Sequence, residues 1–138
     1  LKRFDVIEHT ADTGVVAYGA DLKEAFANLA WAMSSLMADV EAVEERVCRE
    51  VEVKAGDCET LAVSWLNELL FLLDVEGLLF RRFEVAELTD TGLKARCYGE
   101  KLNPRRHNLK GGIKAATYHM LRVTREDDGH SIRVIFDV

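Results

Sequence analysis

The stretch IKAATYHMLRVTREDDGHSIRVIFDV, residues 113–138, decides the fold. Ile113 to Val123 and Ser131 to Val138 carry strand-like spacing, and Asp127-Asp128-Gly129 between them is a turn signal. Strands joined by so short a turn pair antiparallel. A doubly wound sheet needs a long crossover, usually a helix, between successive parallel strands. A helix-free hairpin at this end therefore favours α+β.

Moving toward the N-terminus, Gly99 to Gly112 is the longest stretch without periodicity and contains the single proline, Pro104. Loops of that length in a compact domain are usually functional or disordered. Before it, a strand around Leu79–Leu88 turns through Thr89-Asp90-Thr91-Gly92 into a strand over 93–98. A helix is expected after Gly56, with Asp57 as its cap and Gly77 as its stop. Leu61, Trp65, Leu69 and Leu72 or Leu73 form its apolar face, and Leu66, Leu70 and Phe71 widen it, which predicts burial on more than one side. A strand over 47–54 sets Val47, Val51 and Val53 opposite Glu50, Glu52 and Lys54. An earlier helix begins at the Asp21 cap, with Glu24 three residues on, and buries the stripe Leu22, Phe26, Leu29, Met33, Leu36 and Met37. Residues 3–9 and 15–19 read as short strands around the polar loop Thr10 to Gly14. The expectation is one domain spanning 1–138: an α+β two-layer sandwich, with a mixed but mostly antiparallel sheet and two helices packed on it.

The composition agrees. Of 138 residues, 49% are apolar and 30% charged, which is ordinary for a globular chain able to bury its own core. Cys48, Cys58 and Cys97 form no C-x-x-C pair, so neither a zinc ribbon nor a disulfide framework is expected, and a cytoplasmic setting is the simplest. No secretion signal is legible at the N-terminus. The longest wholly apolar run, Leu69 to Leu73, is far shorter than the ~20 residues of a membrane span. The formal net charge of −6 argues against attraction of the whole surface to nucleic acid.

Four constellations carry candidate chemistry. His9-Thr10-Ala11-Asp12, before Gly14, suits either acid–base work or a hard cation, which prefers carboxylate oxygens on a loop. The commoner use of such residues is a turn in which Asp12 caps backbone N–H groups. Asp137 and Val138 put a side-chain carboxylate beside the last α-carboxylate, a pair that repels itself unless solvated or bridged by a cation. The loop with Lys101, Arg105, Arg106, His107 and Lys110, running on to Lys114, suits phosphate or an acidic partner surface, or is simply solvated. It has no interleaved aromatic residue for stacking single strands. Strand parity places His119 with Ile113, Ala115, Leu121 and Val123, a face on which a lone histidine is usually core, and Lys114 on the opposite parity. No nucleophile elbow, phosphate-binding glycine loop, H-E-x-x-H or dinucleotide fingerprint is present.

Taken in order, several segments resemble the archease family. They are His9-Thr10-Ala11-Asp12 with Gly14 and Tyr18-Gly19, then Asn67-Glu68-Leu69-Leu70-Phe71 and Glu76-Gly77-Leu78-Leu79-Phe80. Tyr98-Gly99-Glu100 with His107 follow, then Lys114-Ala115 with Thr117-Tyr118-His119, and Val134-Ile135-Phe136-Asp137. The resemblance implies an accessory protein rather than an enzyme. Archeases activate the RtcB-type RNA ligase of tRNA splicing and RNA repair, promoting guanylylation of the ligase histidine and multiple turnover. GTP and RNA would reach this chain through the ligase, and no membrane is involved. The resemblance also implies a divalent-metal site, read as calcium, at Asp12, Asp137 and the carboxylate of Val138, with His9 and Lys114 functional beside it. Ala116 stands where the family often has a bulky residue. Asp39 is a further candidate carboxylate, and Arg105, Arg106, His107 and His119 are further candidates for partner contact. Two other readings stay open: a metal-dependent hydrolase using His9, Asp12 and His119, and a general chaperone or RNA-modification cofactor that binds clients through the 99–112 loop.

Overall fold

The structure, a computed structural model, describes the backbone of residues 2–9 and 12–138; the side chains of Glu8, His9 and Asp12 lie outside that description, as do Leu1, Thr10 and Ala11. Strands β1 (Phe4–His9) and β2 (Asp12–Gly19) form an antiparallel pair, and helix α1 (Leu22–Met37) follows. Asp21 caps α1 by accepting the Glu24 N–H at 2.8 Å, while the Glu24 carboxylate reaches back to the Ala20 N–H at 3.0 Å. This is a capping box displaced by one residue. A 3-10 turn, Val40–Ala42, leads to β3 (Val47–Lys54).

Helix α2 (Cys58–Glu76) is capped by Asp57, which accepts the Thr60 N–H at 2.7 Å and is held below the usual carboxylate range by that bond. The helix ends at Gly77, whose φ of 67° is the left-handed conformation glycine adopts without strain. Then come β4 (Leu78–Leu88), β5 (Gly92–Lys101), the short helix α3 (Pro104–His107), β6 (Ala115–Ala116), β7 (Arg122–Glu126) and β8 (Gly129–Asp137).

The α+β expectation holds, with one correction to the sheet. There are two sheets, and every described pairing in them is antiparallel. The first runs β1-β2-β8-β6, with β7 sharing the same side of β8 as β6; the second runs β3-β5-β4. One core joins them. Val15, Ala17, Ile132, Val134 and Phe136 from the first sheet meet Phe26, Leu29 and Met33 of α1 and Leu61, Trp65 and Leu66 of α2. Trp65 is fully buried, and its indole N–H donates to the Phe26 carbonyl at 3.0 Å, which ties the two helices together. The breadth of α2 matches its position, since it packs against strands of both sheets and against α1.

Two further expectations are corrected. The strand read over 113–123 is interrupted: only Ala115–Ala116 pairs with β8 before the chain leaves and returns as β7. The interruption coincides with a change in how the backbone is bonded. Thr117 spends both its N–H (3.0 Å) and its hydroxyl (2.8 Å) on the Ile135 carbonyl, and Met120 sits at a φ of 53°. The loop over 99–112 is also more ordered than its lack of periodicity suggests, since β5 continues through Lys101. Asn103 then caps α3 by accepting the Arg105 and Arg106 N–H groups, with Pro104 at the first helical position.

Candidate functional site

The two aspartates singled out at opposite ends of the sequence belong to neighbouring strands. β2 begins at Asp12, β8 ends at Asp137, and the register between them reaches Thr13↔Phe136. The strands can approach so closely because residue 14 is glycine. A Cβ there would lie 2.6 Å from the Val134 carbonyl oxygen and 2.7 Å from the Ile135 side chain. On its other side β8 pairs with β6 through Ala115↔Asp137, and the Lys114 N–H donates to the Asp137 carbonyl at 2.8 Å. Lys114, Asp137 and Val138 are all exposed. The strand order thus brings the Asp12, Lys114 and Asp137 positions to one end of the first sheet. The side chains of His9 and Asp12 fall outside the described residues.

β6 has a second support that sequence reasoning missed. From the middle of α2, the Asn67 side chain accepts the Ala116 N–H at 2.8 Å and donates to the Ala116 carbonyl at 3.3 Å. It satisfies one residue's donor and acceptor as a neighbouring strand would. Asn67 was visible only as part of a family motif; nothing in its helical position announces a contact with a strand.

A second constellation lies on different elements. Glu100, in β5, is buried and gathers four groups. Its Oε1 faces Arg106 at 2.5 Å and Arg46 at 3.4 Å, while its Oε2 accepts the Glu44 N–H at 2.6 Å and stands 3.0 Å from the His107 Nε2. The Arg106 guanidinium is the chief reason this carboxyl is lowered to about 2, against the opposing push of burial; the Glu44 N–H and His107 add to the lowering. His107 is fully buried, and its Nδ1 accepts the Asn103 N–H at 2.9 Å, so Nε2 bears the hydrogen and donates to Glu100. Both ring nitrogens are therefore engaged in holding the loop.

The rest of the basic loop is largely committed as well. Arg106 also donates to the Ala42 carbonyl at 2.7 Å, and Lys101 donates to the Glu76 carbonyl at 2.6 Å. Lys110 donates its N–H to the Met37 carbonyl and its ammonium to the Ser35 carbonyl, so a cation covers the C-terminal carbonyls of α1. The Asp39 N–H takes the His107 carbonyl at 2.8 Å, which places this exposed aspartate against the docked loop. Arg105 is exposed and enters no ion pair among the described residues. His119 corrects the parity reading: it lies in the interrupted segment, exposed, with its N–H on the Thr117 hydroxyl at 3.3 Å.

Among the described residues, no group of three or more His, Cys, Asp or Glu side chains could hold a metal ion. Asp137 supplies a hard oxygen donor of the right type, and its carbonyl is already taken by Lys114, so its carboxylate is what remains for a cation. No helix is long and apolar enough to cross a membrane. Cys48, Cys58 and Cys97 are free thiols, and burial pushes the Cys97 thiol up to about 12.

Two antiparallel sheets around a pair of helices, with acidic positions at the adjoining ends of β2 and β8, define a small α+β protein with a candidate strand-end site. The model of the archease protein family (MTH1598/TM1083) matches residues 4–138. The archease of Pyrococcus abyssi is 46% identical over 132 residues, covering 94% of this chain and 93% of its own. That of Sulfolobus acidocaldarius is 37% identical over 139 residues, covering all of both chains. The solution structure of Methanobacterium thermoautotrophicum protein 1598 superposes with a TM-score of 0.85 at 38% identity over the whole of both chains. The crystal structure of a Thermotoga maritima archease, described as a possible chaperone, shares the fold at a TM-score of 0.60 and 21% identity, covering 96% and 94%. This chain belongs to the archease family.

Proposed function

We propose that this chain is an accessory protein that activates an RtcB-type RNA ligase, promoting its guanylylation and multiple turnover. In this reading Asp12 and Asp137, with the carboxylate at Val138, hold a divalent cation, taken as calcium, and His9 and Lys114 act beside it. The observation that carries the reading is the placement of two aspartates from opposite ends of the sequence on adjacent strand ends, beside Lys114. Carboxylates gathered in one place resist ionising together unless a cation offsets their repulsion, and hard cations select oxygen donors. When bound, such a cation would leave coordination positions for oxygen ligands of the partner. The chain's own residues do the positioning. Pairing with Ala115 of β6 holds Asp137, and Lys114 is pinned by its N–H to the Asp137 carbonyl. The chain performs no ligation itself; GTP and RNA are handled by the ligase, in the cytoplasm.

The test is a ligation assay with catalytic amounts of ligase, GTP and divalent metal, with and without this protein. The wild-type chain is expected to convert a single-turnover ligase into a multiple-turnover one. Asp12→Asn and Asp137→Asn should each abolish the effect and weaken calcium binding in calorimetry, with unchanged thermal unfolding of the metal-free chain. Full activation by either variant would overturn the metal-site reading. The chaperone reading draws support from the description of the Thermotoga relative, and it assigns client binding to the 99–112 loop. There Arg106 and Lys110 already serve internal contacts, which leaves Arg105 as the exposed cation that reading would rely on.

A further inference from the structure

The outer face of the first sheet carries two arginines directly opposite each other, Arg122 on β7 and Arg133 on β8. Val123 and Ile132, their neighbours of opposite parity, turn toward the helices and the core. Side chains so paired on an antiparallel ladder have Cβ atoms about 4.5–5.5 Å apart, and like charges in that position repel. Nothing in the described structure offsets them. Neither arginine enters an ion pair among the described residues, whereas Arg46, Arg49, Arg82, Arg106 and Arg125 all do. The row across the sheet continues from Arg133 to Val16 and then to Asp5. That aspartate already accepts the Tyr18 hydroxyl at 2.7 Å and pairs with Lys2 at 3.2 Å.

Arg133 is also poorly satisfied as a donor. Its Nε is buried without a hydrogen-bond partner, and its Nη2 meets only the Met120 sulfur, at 4.0 Å. A thioether is a weak acceptor, so the guanidinium keeps most of its donor capacity. Beside it Met120 and Tyr118 are 55% and 62% exposed. Arginine, tyrosine and methionine are the residue types enriched where proteins bind proteins. Arg133 and Asp137 lie on one strand with the same parity, about 13 Å apart at ~3.3 Å per residue, with the buried Ile135 between them.

We propose that the Arg122–Arg133 pair is a docking point for a carboxylate-bearing segment of a protein partner, with Tyr118 and Met120 as its apolar border. The planar guanidinium fork matches a carboxylate in bidentate geometry, and a carboxylate between two arginines would remove their mutual repulsion. A protein is favoured over a nucleic-acid occupant because the chain as a whole is acidic, with a net charge of −6, and the exposed side chains beside the arginines suit a protein surface. The partner is taken to be the ligase, so the inference rests on the functional reading above.

The test measures binding of the full chain to a purified RtcB-type ligase by interferometry, together with the concentration giving half-maximal activation. Arg122→Glu/Arg133→Glu should raise both the Kd and the half-maximal concentration at least tenfold, and Arg122→Gln/Arg133→Gln by a smaller factor. Maximal turnover at saturation, calcium affinity and thermal unfolding should stay unchanged. Raising salt should weaken wild-type binding and leave the Glu variant nearly insensitive. If the wild type binds and both variants bind as tightly, the docking inference falls while the ligase reading stands. If the wild type neither binds nor activates the ligase, both fall together. Two control arms address other occupants. Tight binding of a fluorescent single-stranded RNA that the Glu variant loses would assign the pair to nucleic acid and overturn the proposal. So would a wild-type dimer in sedimentation that the variant dissociates.

Discussion

Glu100 shows how one buried carboxylate can organise a loop. Four donors or cations converge on it from two separate segments, 44–46 and 106–107, and the buried carboxylate would be costly to leave unpaired. Because its folded-state pKa of about 2 lies below the ordinary 4.5, Glu100 stabilises the fold at pH values above 4.5. That contribution is lost progressively as pH falls from 4.5 toward 2. We expect Glu100→Gln to lower unfolding free energy at neutral pH by about 1.5–3 kcal/mol in urea titrations, the range for a hydrogen bond to a charged group. The gap between variant and wild type should narrow in acid. An equal gap at pH 7 and pH 2.5 would show that the carboxylate charge is not what matters. Arg106 belongs to this residue-scale lock, so neutralising it perturbs the loop's seating as well as its charge.

At the scale of elements, the two-residue strand β6 is too short to hold its place by ladder bonds alone. It is held on one side by β8 and on the other by the Asn67 amide of α2. Asn67→Ala removes two hydrogen bonds but leaves a helix-compatible residue in α2, so its effect should be local. We expect the Ala116 amide to exchange faster, with about 1 kcal/mol less protection, and amides of β3 and β5 to be unaffected. Uniform loss of protection across the chain would show that Asn67 serves global stability instead. α3 is the opposite case, a very short helix that persists because Asn103 caps it, Pro104 starts it and His107 anchors its end.

For the molecule as a whole, stability depends on the junction where α1 and α2 cross between the sheets. Trp65 fills that junction, packing edge-on to Phe83 with ring centroids 6.0 Å apart and bonding to the Phe26 carbonyl. Trp65→Ala leaves a cavity and removes the indole bond between the two helices. It should cost about 3–5 kcal/mol, read as a lower denaturant midpoint with cooperativity retained. A change below 1 kcal/mol would mean that the two sheets do not depend on this contact. The candidate strand-end site and the Arg122–Arg133 pair both belong to the first sheet.

Local rules in the sequence determined the two long helices, their Asp21 and Asp57 caps, the Gly77 stop and the terminal hairpin, because caps, turns and apolar periodicity act over a few residues. The family motifs were equally legible, and with them Asp12, Lys114 and Asp137 as candidates. Only the tertiary structure decided the rest. Strand order is a choice among non-local pairings, so the adjacency of the Asp12 and Asp137 ends and the split into two sheets had no local signature. His107 and Arg106 looked like free loop charges until the fold brought Glu100 beneath them. His119 looked like a core strand residue until Thr117 diverted the chain. The β2–β8 pairing and the Thr117–Ile135 contact join segments distant in sequence, while the Glu100 contacts of Arg106 and His107 span only six or seven residues; the energy of each exists only once the chain has closed the intervening loop.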